Sequence, residues 1–416
     1  MSVRDRRVNF LLCLIDAVGF PLGFVFFSFG TILPTFLGKC GAGDATIGAL
    51  MAVNALVVFL PGLFVVPTLR RLSRVKHWVL LVGAVERIAL LLLAPLALLW
   101  GRSHPNWLIV ATFVAVAIHS ISMGFNMPAY WMLVGKVIDA RWRGRLYGIA
   151  GGVAGVLGIG TEAVLRRYVL SGSNGGFPEG YARGFWIGFV LMTVSMLPFL
   201  WVREPAGHGS ESEEVATSGI ASRRALRDLW DSDAGMRILI LGQGTFCLSG
   251  MATPFLVLHA QRNLGADAAD VSLYTAAGVF AAAFGSLVAG WLADRIGNLT
   301  VLLSGMGLGA LGLGLALALR SPGAYTGVFV VSTIALATIG ITSSNLIMER
   351  AGDPVRIGYA TSFFNLATAL PRAAAPLAGG LLAGAAGYPA VFAVCFALAI
   401  VGTLLTLPLR RAHAAR

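Results

Sequence analysis

The stretch from Gly290 to Gly297 reads GWLADRIG, a turn of glycine, aspartate and arginine set between two long apolar segments. Working outward from it, the chain repeats one arrangement: apolar stretches of membrane-crossing length separated by charged turns. A helix needs roughly 20 mostly apolar residues to cross the hydrocarbon core. Such windows recur at 9–37, 46–68, 78–100, 106–136, 145–169, 184–202, 237–260, 270–292, 299–319, 324–347, 358–384 and 387–408. The pattern predicts an all-α polytopic membrane protein with twelve transmembrane helices.

Composition agrees with that solvent. Hydrophobic residues make up 57% of the chain and charged residues only 12%, whereas soluble domains carry about 25% charged residues. A transmembrane barrel would need alternating strands of about 10 residues, and no segment alternates in that way. The first span follows Arg4, Arg6 and Arg7 but is too long for the apolar core of a signal peptide and lacks a small-residue cleavage site. It is read as retained.

Basic residues are distributed with a strong bias. With the N-terminus taken as cytoplasmic, 22 of the 31 Lys and Arg residues fall in cytoplasmic segments and five on the opposite side; Arg87, Arg166, Arg167 and Arg372 lie within spans. The positive-inside rule then puts both termini in the cytoplasm. The net charge of +12 is accounted for by this topology and calls for no nucleic-acid partner. Cys13, Cys40, Cys247 and Cys395 stand singly, without the spacing of a zinc or redox motif. They are expected to be packing residues.

Two halves are expected: a bundle of six helices over 1–202, a linker over 203–235, and a second bundle over 236–416. The linker contains GHGSESEEVATSG, of disordered composition, and then SRRALRDLWDS, where Ser222 could cap a short amphipathic helix carrying Leu226, Leu229 and Trp230. A parallel internal repeat would give this plan. DARWRGRLYG (Asp139–Gly148), after the fourth span, and GDPVRIGYA (Gly352–Ala360), after the tenth, echo each other.

GWLADRIG, placed after the eighth of twelve spans, resembles the loop signature of the major facilitator superfamily of transporters. That resemblance implies two six-helix halves that rock about a central site, with spans 1, 4, 7 and 10 lining the cavity. In the superfamily the loop after span 2 carries the same signature; here it reads PTLRRLSRVK (Pro67–Lys76), with Arg71 in register with Asp294. The signature residues Gly290, Asp294, Arg295 and Gly297 are accordingly expected to form a conformational gate. Asp294 would meet the start of span 5 near Arg143 and Arg145, since an acidic group is favoured at a helix N-terminus. Arg71, or its neighbours Arg70 and Arg74, would pair instead with Glu349 or Asp353.

No GxxxxGK[ST] phosphate loop is present, so transport would be driven by a gradient. Ionisable groups inside the membrane are costly and mark pathways. Asp16, in span 1, is the best proton carrier and begins a small-residue stripe with Gly19 and Gly23 that would leave room for water or ligand. His119 lies at similar depth in span 4. Glu162 can face Arg166 one helical turn away in span 5. Glu86 and Arg87 are neighbours about 100° apart on span 3 and are expected to form a structural ion pair to span 2 or span 6.

Arg372 follows Pro371 in span 11 and requires a partner: Glu162, a freed carbonyl or an anionic ligand. Asn126, Gln243, Asn345 and Asn365 offer neutral polar anchors, and Phe26, Phe27, Phe125, Tyr130 and Trp131 offer apolar walls. The glycines of GIAGGVAGVLGIG (Gly148–Gly160) supply part of the span 5 signature found in antiporters of the superfamily, without its Gly-Pro. The expected activity is proton-coupled export of a small organic solute. The alternatives are proton-coupled uptake of an anionic metabolite, a lipid flippase, or a polytopic membrane enzyme. The protein is expected to be a monomer in a bacterial inner membrane, with protons and a small-molecule substrate as partners and no cofactor or metal.

Overall fold

The computed structural model describes residues 3–58, 61, 65, 68, 69, 71–172, 176–205, 230, 231, 233–351 and 354–410, and leaves out the side chains of residues 3, 140, 141, 144, 159, 162, 351, 354–359, 361, 362 and 366. Among the described residues there are helices and turns and no strand. Among those residues nine helical runs are long and apolar enough to cross a membrane. The last of them, Phe363–Thr406, passes through Gly387, whose φ of 79° and ψ of 171° break the helix in two. The second expected span lies partly outside the described residues, and its described part is the shorter helix Asp44–Val57.

The elements follow from local chemistry. In chain order they are α1 (Val3–Phe24), α2 (Ile32–Lys39), α3 (Asp44–Val57), α4 (Lys76–Leu91), α5 (Leu93–Trp100), α6 (Pro105–Val137), α7 (Ala140–Val164) and α8 (Glu179–Met196). After the linker come α9 (Ala234–Leu248), α10 (Thr253–Asn263), α11 (Ala268–Ile296), α12 (Asn298–Ala318), α13 (Pro322–Ala351) and α14 (Pro354–Thr406). Proline opens α6, where its missing N–H costs nothing. Asp233 caps α9 by accepting from the N–H groups of Gly235 and Met236 at 2.9 and 3.1 Å. Between α11 and α12 the chain turns at Gly297, with φ 84° and ψ 147°, a conformation that L side chains rarely adopt. The last glycine of GWLADRIG is thus a backbone requirement.

The chain forms two compact units. The first comprises Met1–Gly43, Val53–Ser212 and Ala266–Phe280; the second comprises Asp44–Ala52, Glu213–Gly265 and Ala281–Arg416. In the first unit α1 packs closely on α8. A Cβ added at Gly19 would fall on Ser195, and one at Gly23 would fall on Met192 and Gly188. The small-residue stripe beginning at Asp16 therefore admits a neighbouring helix, which corrects the expectation that it leaves room for water or ligand. Phe26 and Phe27 are likewise core, not cavity wall: both are buried, and Phe27 stacks on Phe185 with centroids 5.2 Å apart.

One end of the first unit is fastened by a carboxylate. Glu204, just beyond α8, accepts from the backbone N–H groups of Val75 and Lys76 at 2.9 Å each and from Lys136 Nζ at 3.0 Å. It thereby satisfies the start of α4 with a negative charge where the helix dipole favours one. Nearby, Asn9 exchanges two hydrogen bonds with the backbone of Arg203, at 3.0 and 2.9 Å. In the second unit the cap residue Asp233 also pairs with Arg350 at 2.5 Å, both side chains buried. At another point of that unit Arg262 meets Asp44 at 2.9 Å and the Tyr388 hydroxyl at 2.6 Å. All four cysteines are free, and Cys13, Cys40 and Cys395 are buried. The linker helix expected near Ser222 lies outside the described residues. Beyond it, Trp230 meets Phe363 edge to face at 6.0 Å.

Candidate functional site

A cavity of about 290 Å³ lies within the first unit, among α1, α4, α6, α7, α8 and the turn that follows α8. Its charged groups are Asp16, Glu86 and Arg87; aromatic rings and the methionines Met123, Met127 and Met196 make up most of the rest. Asp16 comes from α1 and Arg87 from α4, and they form an ion pair at 3.7 Å. Arg87 completes its shell with backbone carbonyls: Nε donates to Met192 at 2.8 Å and Nη1 to Gly83 at 2.9 Å. Its guanidinium also sits over the Phe20 ring, 5.2 Å from the centroid. Hydrogen-bonded and paired in this way, a charge is tolerable away from water.

Glu86 is placed differently. It is 3% exposed, and its carboxylate accepts from Asn126 Nδ2 on α6 at 3.3 Å. Among the described residues it faces no cation within salt-bridge distance. His119, fully buried, puts Nδ1 3.4 Å from the Glu86 carbonyl and stacks on Phe24, while its Nε2 has no hydrogen-bond partner among the described residues. It stands behind Glu86 and does not line the cavity. Tyr130, Trp131 and Tyr147 form an aromatic wall, with the Trp131 ring 5.6 Å from Tyr130 and 5.3 Å from Tyr147. Phe125 packs against Trp78 instead, outside the cavity lining.

The expected pair from Glu86 and Arg87 to span 2 or span 6 therefore needs correction. Arg87 reaches the sixth-span helix α8, but only its backbone carbonyl; its ionic partner is Asp16 on the first span. Glu86 and Arg87 point to different partners because adjacent helical residues diverge by about 100°.

The second unit contains a separate cavity of about 460 Å³. It is lined by Gln243, Asn365 and Arg372 together with serines and apolar side chains of α9, α12 and α13. Arg372 Nε lies 3.5 Å from Cys247 Sγ. Gln243 is buried, with Nε2 3.8 Å from Met306 Sδ. The expected ligand residues thus divide: Asn126, Tyr130 and Trp131 stand in the first unit's cavity, and Gln243, Asn365 and Arg372 in the second unit's. Asn345 lines neither. It donates to Asn298 Oδ1 at 3.2 Å, and Asn298 in turn donates to Glu349.

Residues 238–416 match the family model described as Major Facilitator Superfamily. The match falls on the second half of the chain. A comparison with curated protein sequences gives no match. Among solved structures it is similar to a D-xylose-proton symporter, with 15% identity, 98% of this chain and 97% of the other covered, and a TM-score of 0.67. It is also similar to the nucleoside transporter NupG at 14% identity, covering 97% and 99%, TM-score 0.66. A bacterial homologue of the human lysosomal transporter Spinster, in an inward-facing and unoccupied conformation, matches at 17% identity, covering 98% and 96%, also with TM-score 0.66. At these identities the structures speak for the fold. They are transporters by name, and among the described residues of this chain nine helical runs have the length and apolar character of membrane spans.

The residues of GWLADRIG and the gate partners expected for them can now be placed. Asp294 is exposed near the end of α11, and Arg295 lies over the Trp291 ring at 4.0 Å. A Cβ at Gly290 would meet nothing within 4 Å. Arg143 donates to the carbonyls of Ile138 at 3.1 Å and Gly135 at 2.7 Å, closing the end of α6, and Arg145 lies over Trp142 at 4.6 Å. Arg71 is exposed. Arg70, Asp353 and the Glu162 side chain lie outside the described residues.

Sequence reading did not bring Glu86, Arg87 or Tyr147 to the first cavity. Tyr147 carries no charge to draw notice, and Glu86 and Arg87 are expected from sequence to form a structural ion pair. The available signal was their cost: two adjacent ionisable residues in one apolar span demand partners inside the membrane.

Proposed function

We propose that this chain is a proton-coupled secondary transporter that exports a small, partly apolar organic solute by alternating access. The halves 1–202 and 236–416, joined by the linker 203–235, would rock about a midplane site. The observation that carries this reading is the buried group of Asp16, Glu86 and Arg87 in a cavity of the first unit. Two carboxylates and one guanidinium form a cluster whose charge balance changes with a single proton. The D-xylose-proton symporter lends support, since its name records proton coupling on a similar fold. Asp294 and the basic residues Arg71, Arg143 and Arg145 fit a gate on the cytoplasmic side, with both termini on that side in a bacterial inner membrane.

A second reading is uptake of an anionic metabolite with protons. It is favoured by Arg372 in a cavity that also offers the amides of Gln243 and Asn365. Arg372→Ala abolishes binding in that case, and unchanged affinity removes the reading. A lipid flippase requires a lateral opening and would show lipid scrambling in the same vesicles.

The test is flux in reconstituted vesicles under an imposed pH gradient, with substrates found by a thermal-shift screen, since a ligand that binds the native state raises apparent stability. Asp16→Asn is expected to abolish pH-driven flux. Full pH-driven flux in that variant would sink the assignment.

A further inference from the structure

We infer that the cavity of the first unit takes a monovalent organic cation, whose positive charge occupies the place of a proton on Glu86. The inference rests on the transporter reading above and names a substrate class for it.

The argument starts from charge. Asp16 and Glu86 carry one more negative charge than Arg87 can offset. Arg87 is fully engaged: it pairs with Asp16, donates to Met192 and Gly83, and covers Phe20. Ser195 lies on Asp16 as well, at 3.5 Å. Glu86 receives one bond from a neutral amide, Asn126, at 3.3 Å. An amide bond stabilises a carboxylate without cancelling its charge, and a buried uncancelled charge is strongly disfavoured. Glu86 therefore ionises only when a positive charge arrives, and the cavity holds either a proton or a cation.

The walls match that ligand. Tyr130, Trp131 and Tyr147 present ring faces and edges, and a quaternary ammonium is attracted to such faces by their quadrupole. Met123, Met127 and Met196 add polarizable, adaptable surface. The one excess charge is a carboxylate's, so an anion meets repulsion. Among the described residues, the titratable groups in and around this cluster besides Glu86 are Cys13 and Asp16 on α1, Arg87 on α4, His119 and Tyr130 on α6, and Tyr147 on α7. None but Arg87 brings a fixed positive charge, and Arg87 is engaged elsewhere.

The exchange balances simply. The Glu86 carboxyl releases its proton to water, and the carboxylate then faces the cation with no covalent change. Because the bound state holds one proton fewer, affinity for the cation rises with pH.

The test is calorimetric titration of benzyltrimethylammonium into the full chain in lipid nanodiscs, in two buffers of different ionisation heat, beside its uncharged carbon isostere neopentylbenzene. The cation is expected to bind at least about tenfold more tightly than the isostere, to release about one proton per molecule bound, and to lose at least about tenfold in affinity in Glu86→Gln. Glutamine keeps an acceptor for Asn126, and the unfolding temperature of the variant checks its fold. Should that variant fail to fold, Trp131→Ala at the half-exposed wall supplies the second comparison, with weaker cation binding expected. Equal binding of cation and isostere, absence of proton release, or no cation binding overturns the inference. Cation binding with proton release but no pH-driven flux in vesicles would remove the transport reading and leave the site standing.

Discussion

Arg87 Nη2 lies 3.7 Å from Asp16 Oδ1, with the two side chains 5% and 8% exposed, so that an ion pair joins the first and third spans inside the hydrophobic interior. Breaking a buried pair from one side strands a charge, at a cost of about 3–5 kcal/mol. Arg87→Met and Asp16→Asn are each expected to lower stability by about that much. The double variant should recover a large part of the loss, because no charge is then stranded. Thermal unfolding of the four proteins measures the coupling, and strictly additive losses would show that the two side chains do not act as a pair.

Glu204 gives a second prediction. Its carboxylate receives two backbone N–H groups at the start of α4 and the Lys136 ammonium. Glu204→Ala is expected to cost about 1–2 kcal/mol, the combined worth of a cap and a favourable dipole contact. An unfolding temperature equal to that of the parent would contradict this.

The two glycines that bound GWLADRIG should respond unequally. Gly297→Ala forces a side chain into a backbone conformation that costs about 1–3 kcal/mol. Gly290→Ala has space for its methyl group and should change stability by less than about 0.5 kcal/mol. Denaturation midpoints of the two variants compare these effects directly, and equal losses would refute the distinction.

Cys40, just past α2, is 4% exposed, and burial pushes its thiol up to about 12. Only the thiolate is nucleophilic, so at neutral pH this cysteine should resist maleimide, with reactivity rising only as the solution approaches that alkaline range. Mass spectrometry after labelling in the native state tests this; rapid modification at neutral pH would overturn it.

Much of the architecture was legible because the membrane makes its demand residue by residue: about 20 apolar positions in a row read the same wherever the helix packs. Asp16 was legible for a related reason, since a carboxylate in such a row stands out. Its partner was not. Whether Arg87 turns toward α1 or α8 depends on how α4 is rotated in the bundle, and Arg87 meets both through different groups. Gly19 and Gly23 show the same ambiguity: small residues admit a ligand or a helix equally well on paper, and Ser195 and Met192 decided for the helix. Glu204 was illegible because the N–H groups it satisfies lie 128 and 129 positions away in the chain. The division of expected ligand residues between two cavities had no sequence signal, since Asn126 and Asn365 are the same residue type in equally apolar surroundings.

The Glu204 contact also has a mechanical side. The chain leaves the first bundle at a peg fixed to the start of α4 and to Lys136 at the end of α6, with Asn9 gripping the neighbouring peptide. A pull on the chain beyond Pro205 is therefore borne by α4, α6 and α1 together, and the helix α8 that precedes it is shielded from the load.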